Sequence, residues 1–244
     1  MRAISLANSF VALADDPWTL RHNPGGLAGI SSPRGAVFFV PQQFGLEELK
    51  TVAATVTIPL SFGTIGAGID QFGFSLYKEM TISLGIGKRI DWGISGGLTV
   101  NLHRFSIERY GSTQQATVDL GLLAEITDYA RLGCSIRNIG GATIGATKDP
   151  LPQVLHLGAS LNPVAGLRVV IEAEKDIRYS TIVKVGAEQI LFDILALRVG
   201  ASNNPEKFSG GFGIRYAMFE FGYAGYSHPF LGWTHQIEIG VRLD

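Results

Sequence analysis

Cysteine is almost absent. Cys134 is the only one among 244 residues, which rules out an intrachain disulfide and any CxxC-type zinc or redox site. Charge is scarce too, at 17% of residues against roughly 25% in ordinary soluble domains. No basic excess exists, with Lys+Arg at 20 and Asp+Glu at 21, so nothing would displace counterions from a nucleic acid and no such partner is expected. Long apolar runs are also missing, although 46% of residues are hydrophobic and mean hydropathy is +0.22. Asp119 interrupts one of the longest runs, and Asp193 with Arg198 another. Nothing approaches the ~18 consecutive apolar residues of a spanning helix. Five histidines (His22, His103, His156, His228 and His235) show no HExxH or His-x-His spacing, so each reads as a wall or loop residue and no metal is expected. The glycine-rich pieces at 63–68 and 209–213 do not open a helix after a strand, which argues against phosphate loops. No enzyme and no cofactor are expected.

What remains is glycine and alternation. The 31 glycines amount to nearly double the usual ~7%. From about residue 34 onward, apolar and polar residues alternate with the period of two that places side chains on opposite faces of a strand. Near the end, Ile237, Ile239, Val241 and Leu243 share one face, while Gln236, Glu238, Gly240 and Arg242 share the other. Leu167 to Ala173 behaves alike except at Val170. Such runs predict fourteen strands, at 34–40, 49–60, 62–72, 77–88, 91–105, 115–126, 129–137, 152–161, 166–175, 180–189, 194–202, 207–216, 217–226 and 233–243. Most have the ~9–11 residues that a tilted strand needs to cross a bilayer. Tight connections make neighbours antiparallel, and a fourteen-stranded meander avoids open edges by closing.

Three features turn the apolar face outward, toward lipid. The polar faces carry small residues, as at Gly85, Gly87, Gly93, Gly97, Gly211 and Gly213. Aromatics fall near strand ends, at Tyr77, Trp92, Phe105, Tyr129, Tyr179, Tyr226 and Trp233, as the girdles of outer-membrane barrels require. Charges of both signs sit on the polar faces and are expected to form a lumenal network: Asp119, Glu125, Arg131, Arg137, Arg168, Glu172, Glu174, Lys184, Glu188, Arg198, Arg215, Glu220 and Glu238. Glu172 and Glu174 lie about 7 Å apart on one strand face, wider than the roughly 5–5.5 Å of a retaining glycosidase pair, which favours a salt network over an active site. Cys134 falls on the apolar face with Leu132 and Ile136. The expected fold is therefore all-β, a fourteen-stranded antiparallel transmembrane barrel of the bacterial outer membrane, with residues 34–244 as the barrel.

Residues 1–33 read differently. Asp16 suits a helix cap and Pro17 the first helical position, giving a small helix to about His22 that stops at Asn23-Pro24-Gly25-Gly26. This segment is expected to lie inside the barrel as a plug, with Asp15, Asp16, Pro17, Asn23, Pro24, Gly25 and Gly26 as its motif. Eight-stranded barrels are already filled by side chains, whereas fourteen strands leave room.

The run Ser9-Phe-Val-Ala-Leu-Ala-Asp-Asp-Pro17, followed by Asn23-Pro-Gly-Gly-Leu-Ala28, resembles the N-terminal pattern of the FadL-like superfamily, most closely its PorV/PorQ-like branch. Arg131-Leu-Gly-Cys-Ser-Ile-Arg-Asn-Ile-Gly140 and His156-Leu-Gly-Ala-Ser160 resemble later segments of that branch. Three departures stand out: Gly25 replaces an alanine, which should loosen the turn; the chain ends Arg242-Leu243-Asp244 without an aromatic; and no signal peptide precedes Met1, so the chain reads as mature. The resemblance implies a plugged fourteen-stranded barrel. It implies one of two functions: a scaffold that docks envelope or secreted proteins, as in PorV/PorQ-like relatives, or a FadL-like passage for hydrophobic small molecules. Outer-membrane lipid is the partner common to both. With ~10 residues per span, about five remain per connection, and longer excursions are expected only at 41–48, 106–114, 138–151 and 227–232. Short rims and a charged lumen, a poor solvent for a fatty molecule, lean the reading toward the scaffold.

Overall fold

The computed structural model describes every residue except Trp92, Ala146 and Asp244. Its strands are β1 (Arg34–Val40), β2 (Thr51–Leu60), β3 (Gly63–Gly73), β4 (Tyr77–Asp91), β5 (Ile94–Ile107), β6 (Gly111–Thr127), β7 (Ala130–Arg137), β10 (Val154–Val164), β11 (Leu167–Asp176), β12 (Ile182–Leu191), β13 (Leu195–Asn203), β14 (Glu206–Tyr216), β15 (Phe219–His228) and β16 (Gly232–Arg242), with a two-residue hairpin of β8 (Thr143–Ile144) and β9 (Asp149–Pro150) between β7 and β10. The long strands pair antiparallel in chain order, β7 meeting β10 across the small hairpin, and β1 closes on β16 with Phe38 opposite Glu238. The result is a closed fourteen-stranded barrel.

Closure leaves no open edge, the condition for crossing a bilayer with strands. No helix among the described residues is long and apolar enough to span. The alternation resolves as an inverted protein. Val52, Val56, Ile58, Leu84, Leu98, Val199, Ile237 and Ile239 point outward and are exposed, while Thr57, Thr99, Ser135, Glu188 and Gln236 point inward and are buried. One rim carries the tight turns, including those at Asp128 and Ala165-Gly166, together with the start of β1 and the end of β16. The other carries the longer connections, which in outer-membrane barrels face the cell exterior.

Several expectations need correction. Segment 106–114 is not a loop: β5 runs to Ile107 and β6 starts at Gly111, making β6 17 residues long. Segment 227–232 likewise shrinks to a turn between β15 and β16. Gly93 lies in a turn at positive φ rather than over the lumen. Of the expected girdle, Tyr129, Tyr179 and Trp233 are exposed, but Phe105 shares its parity with buried Asn101 and touches His103. Tyr226 turns inward with buried Ala224, and Tyr77 is on the side of buried Ser83. Trp92 lies outside the described residues.

The core of this barrel is its own N-terminal segment. Twelve of the twenty buried hydrophobic residues fall within the first thirty, among them Leu6, Phe10, Leu20 and Leu27. That segment has three short helical pieces instead of one: α1 (Arg2–Ser5), α2 (Thr19–His22) and a 3-10 turn over Pro24–Gly29. Val170, the odd apolar residue of its strand face, packs inward on Ala3, Leu6, Phe10 and Leu13. The inward glycines make the room. A Cβ on Gly97 would lie 2.2 Å from the Pro24 oxygen, on Gly133 2.2 Å from the Val11 oxygen, and on Gly200 2.4 Å from the Leu6 carbonyl carbon. These are backbone-to-backbone approaches that no rotamer change can relieve.

Adding one methyl at this interface, as in G133A, is therefore expected to cost about 1–3 kcal/mol through overpacking. The barrel should still form, since the wall's own ladder is untouched. A lowered melting temperature with increased proteolysis of residues 1–33 and a retained heat-dependent gel shift is the expected result. Unchanged melting would contradict the packing.

Candidate functional site

The lumen is organised by the turn that ends α2. Asn23 is fully buried; its Oδ1 accepts from Gly25 N at 3.0 Å, and its Nδ2 donates to Val11 O at 2.7 Å and Leu122 O at 2.9 Å. One side chain thus joins the turn, the preceding irregular plug segment and the wall. Pro24 occupies the first position of the 3-10 turn, where its missing N–H costs nothing. Gly25 does not loosen the turn; a Cβ there would lie 2.9 Å from Gly121 O, so its glycine allows the close approach. Gly26 is pressed onto Ala14 O in the same way. Asp16 does not cap a helix: α2 begins at Thr19, its N-cap is Trp18 without a side-chain cap bond, and Asp16 Oδ1 instead closes the turn before it by accepting from Trp18 N at 2.9 Å.

The predicted charges do not form one network. They fall into two clusters on either side of the plug and several pairs apart from them. In the first cluster, toward the tight-turn rim, Glu188 is the hub. Arg2 grips it with Nε–Oε2 at 2.7 Å and Nη2–Oε1 at 2.8 Å, Arg198 adds Nε–Oε2 at 2.6 Å, and Arg168 stands 3.6 Å away. Asp15 bridges Arg2 and Arg168, the latter at 3.0 Å. In the second cluster, Glu172 Oε2 accepts the plug amides of Phe10 and Val11 at 2.8 and 2.9 Å. Its Oε1 meets Lys184 Nζ at 3.0 Å and His156 Nδ1 at 2.9 Å, and Lys184 also holds Glu174.

The remaining residues serve the wall and rims. Asp119 accepts from Asn101 Nδ2 and Asn138 N, both at 2.8 Å. Glu125 pairs with Arg131 and Arg89 near the tight-turn rim, and Arg215 pairs with Glu220 at 2.8 Å. Arg137 Nη2 donates to Arg21 O at 3.0 Å, and Glu238 accepts the Trp18 indole N–H at 2.7 Å. Sequence reasoning missed Arg2, the Arg21–Asp70 pair and His156. For His156 a signal existed, since it alternates inward with Gly158 and Ser160.

This geometry tells against two chemical readings. His156, Glu172 and Glu174 present ligand atoms within 4.8 Å of one another. The Lys184 ammonium already sits on both carboxylates and supplies the cation that a metal would bring. Gly93-Ile-Ser-Gly-Gly97 has the spacing of a nucleophile elbow, but Ser95 lies within β5 with no helix after it, so the strained strand-to-helix turn is absent.

Two cavities flank the plug. One, of about 340 Å³ toward the tight-turn rim, is lined by Arg2, Asp15, Arg168, Glu188 and Arg198. The other, of about 450 Å³ toward the long-connection rim, has an apolar sector (Ile4, Phe38, Val40, Ile182) beside Arg137, Lys184 and Lys207. Among the described residues only Met1 and Trp18 line both. Trp18 is fixed between them by its bond to Glu238 and by its ring against Phe38, 4.9 Å between centroids.

No family model matches the chain, and no curated protein matches it. Solved structures do. The CymD monoaromatic hydrocarbon channel aligns with TM-score 0.70 at 11% identity over 99% of this chain and 95% of that one. The Pseudomonas putida toluene transporter TodX aligns with TM-score 0.65 at 12% identity over 92% of each chain. A Pseudomonas aeruginosa FadL homologue aligns with TM-score 0.69 at 10% identity over 98% and 95%. The fold and lumen thus define a plugged outer-membrane β-barrel. Its fold is similar to that of the aligned channels.

Removing the hub of the first cluster leaves Arg198 without its carboxylate and Arg2 and Arg168 with Asp15 alone. E188A is expected to cost about 3–5 kcal/mol, the penalty for leaving buried charge uncompensated, read as a fall in the denaturant midpoint in detergent. A second expectation concerns pH. Burial, reinforced by the Glu238 and Asp15 carboxylates and opposed by Arg2, pushes the Asp16 carboxyl up from 3.8 to about 7. Burial would raise Asp15 as well, but Arg2 and Arg168 outweigh it and hold that carboxyl low. A raised carboxyl stabilises the fold below its unfolded value, and that contribution is lost as pH rises through the folded value. D16N keeps an acceptor for Trp18 N without the charge. Its melting temperature should exceed that of the parent by an amount that grows between pH 4 and 7 and then levels off. A pH-independent difference would contradict this.

Proposed function

We propose that this protein is a gated outer-membrane channel for the uptake of small molecules with an apolar body, the N-terminal segment being the gate. The observation that carries the reading is the pair of cavities divided at Trp18. A solute in the 450 Å³ outer cavity meets apolar side chains on one side and Arg137 and Lys207 on the other, a lining suited to an amphipathic molecule. The plug is seated by polar groups of the wall, among them hydroxyl bonds such as Ser209 Oγ to Ser5 O at 3.0 Å and ion pairs such as Glu188 with Arg2. Similarity in fold to barrels named as hydrocarbon channels supports the same reading.

A second reading, the scaffold that docks envelope or secreted proteins, draws on the filled centre of the lumen and on the PorV/PorQ-like motif. A scaffold needs no moving plug, and this separates the two. In proteoliposomes loaded with an amphipathic aromatic dye, W18A is expected to raise dye flux several-fold. A disulfide from S5C/S209C in a C134S background is expected to abolish flux until reductant is added. Flux indifferent to both changes would overturn the channel and favour the scaffold.

A further inference from the structure

The outer wall carries a groove that the lumen does not explain. Across β14, β15 and β16, Gly210 lies opposite Gly225 and Gly225 opposite His235, so one outward row has two positions without side chains. Phe208 and Trp233 stand on the side nearer the long-connection rim, and Tyr223 stands on the other, stacked on Phe212 at 5.5 Å between centroids. The groove measures about 570 Å³ and faces the membrane.

At its end is a polar pair in an otherwise apolar band. Tyr223 OH and His235 Nδ1 are 2.6 Å apart. A phenol and an imidazole hold at least one polar hydrogen each, and the bond between them uses only one. Whichever group donates, an O–H or N–H is left over, and among the described residues it has no acceptor. Hydrocarbon offers none, and an unmet donor there is costly. His235 is the fourth residue of β16, roughly 10 Å along the strand from its end at 3.3 Å per residue. The pair therefore lies in the outer third of the eleven-residue strand, on the head-group side of the hydrocarbon centre.

We infer that this groove is a binding site for a diacyl phospholipid, one acyl chain lying over Gly210 and Gly225 between the aromatic walls, with its ester carbonyl accepting the remaining hydrogen of the Tyr223–His235 pair. A lipid bearing several phosphates fits less well. The nearest lysine, Lys207, points inward over the Tyr226 ring at 5.8 Å, leaving no cation beside the groove among the described residues.

The test is native mass spectrometry of the full chain in detergent, titrated with phosphatidylethanolamine or with lipid A. Two variants remove the site in different ways. Y223F/H235F keeps both rings and deletes both polar hydrogens. G210V fills the floor, where a Cβ has only Arg198 O nearby, at 3.5 Å. The parent is expected to retain one phosphatidylethanolamine, and each variant to lose retention about fivefold, the order of one hydrogen bond or its equivalent in packing. Both variants should keep the heat-dependent gel shift of a closed barrel. Equal retention in all three proteins, preference for lipid A, or a second copy of the chain in place of lipid would each overturn the assignment.

Discussion

Everything inside this protein depends on backbone meeting backbone. The plug main chain at Leu6, Val11 and Pro24 approaches the wall at Gly200, Gly133 and Gly97 so closely that a single methyl would collide. A barrel of fourteen strands has too wide a lumen to be filled by wall side chains. Here the filling is a second layer of chain, and the wall has given up side chains to admit it. The high glycine content follows from this, as does the concentration of buried hydrophobics in the first thirty residues. The glycines and the plug are two halves of one packing solution.

Charge follows from the same arrangement. Because the plug carries Arg2, Asp15 and Arg21 into a space already lined by Glu188, Arg168, Arg198 and Asp70, each ion enters the interior against a partner. The near-neutral whole is the sum of pairs and triads, not of a charge-poor interior. The clusters also divide the work. Glu188 holds side chains, whereas Glu172 holds the Phe10 and Val11 amides of a plug segment with no regular secondary structure. In a low-dielectric space such bonds are strong when complete and costly when broken, so a plug held this way moves as a unit or not at all.

The strands were legible in the amino acids because lipid on one side and packed lumen on the other enforce a strict alternation. Legibility failed where that contrast ends. The hairpin around Glu108 to Tyr110 projects past the membrane band; both of its faces meet water, the alternation fades, and it looked like a loop. Val170 broke the pattern for a reason visible only in three dimensions, since its inward face packs on Leu6 and Phe10. Lumenal carboxylates and lysines could be listed from their parity, and Glu172 does face Lys184 across neighbouring strands. Their division into two clusters could not be read, because Arg2 chooses Glu188 across 186 positions only once the plug is threaded.

The account stands or falls on the plug being seated in the lumen by the wall. Hydrogen exchange of the detergent-solubilised protein tests this most directly, at the amides of Phe10 and Val11. Both donate to a glutamate that is 2% exposed, so their protection should match that of amides in the barrel strands. Exchange at the rate of an unstructured arm, with the strand amides still protected, would show an empty barrel with a free N-terminal tail and would contradict the structure described.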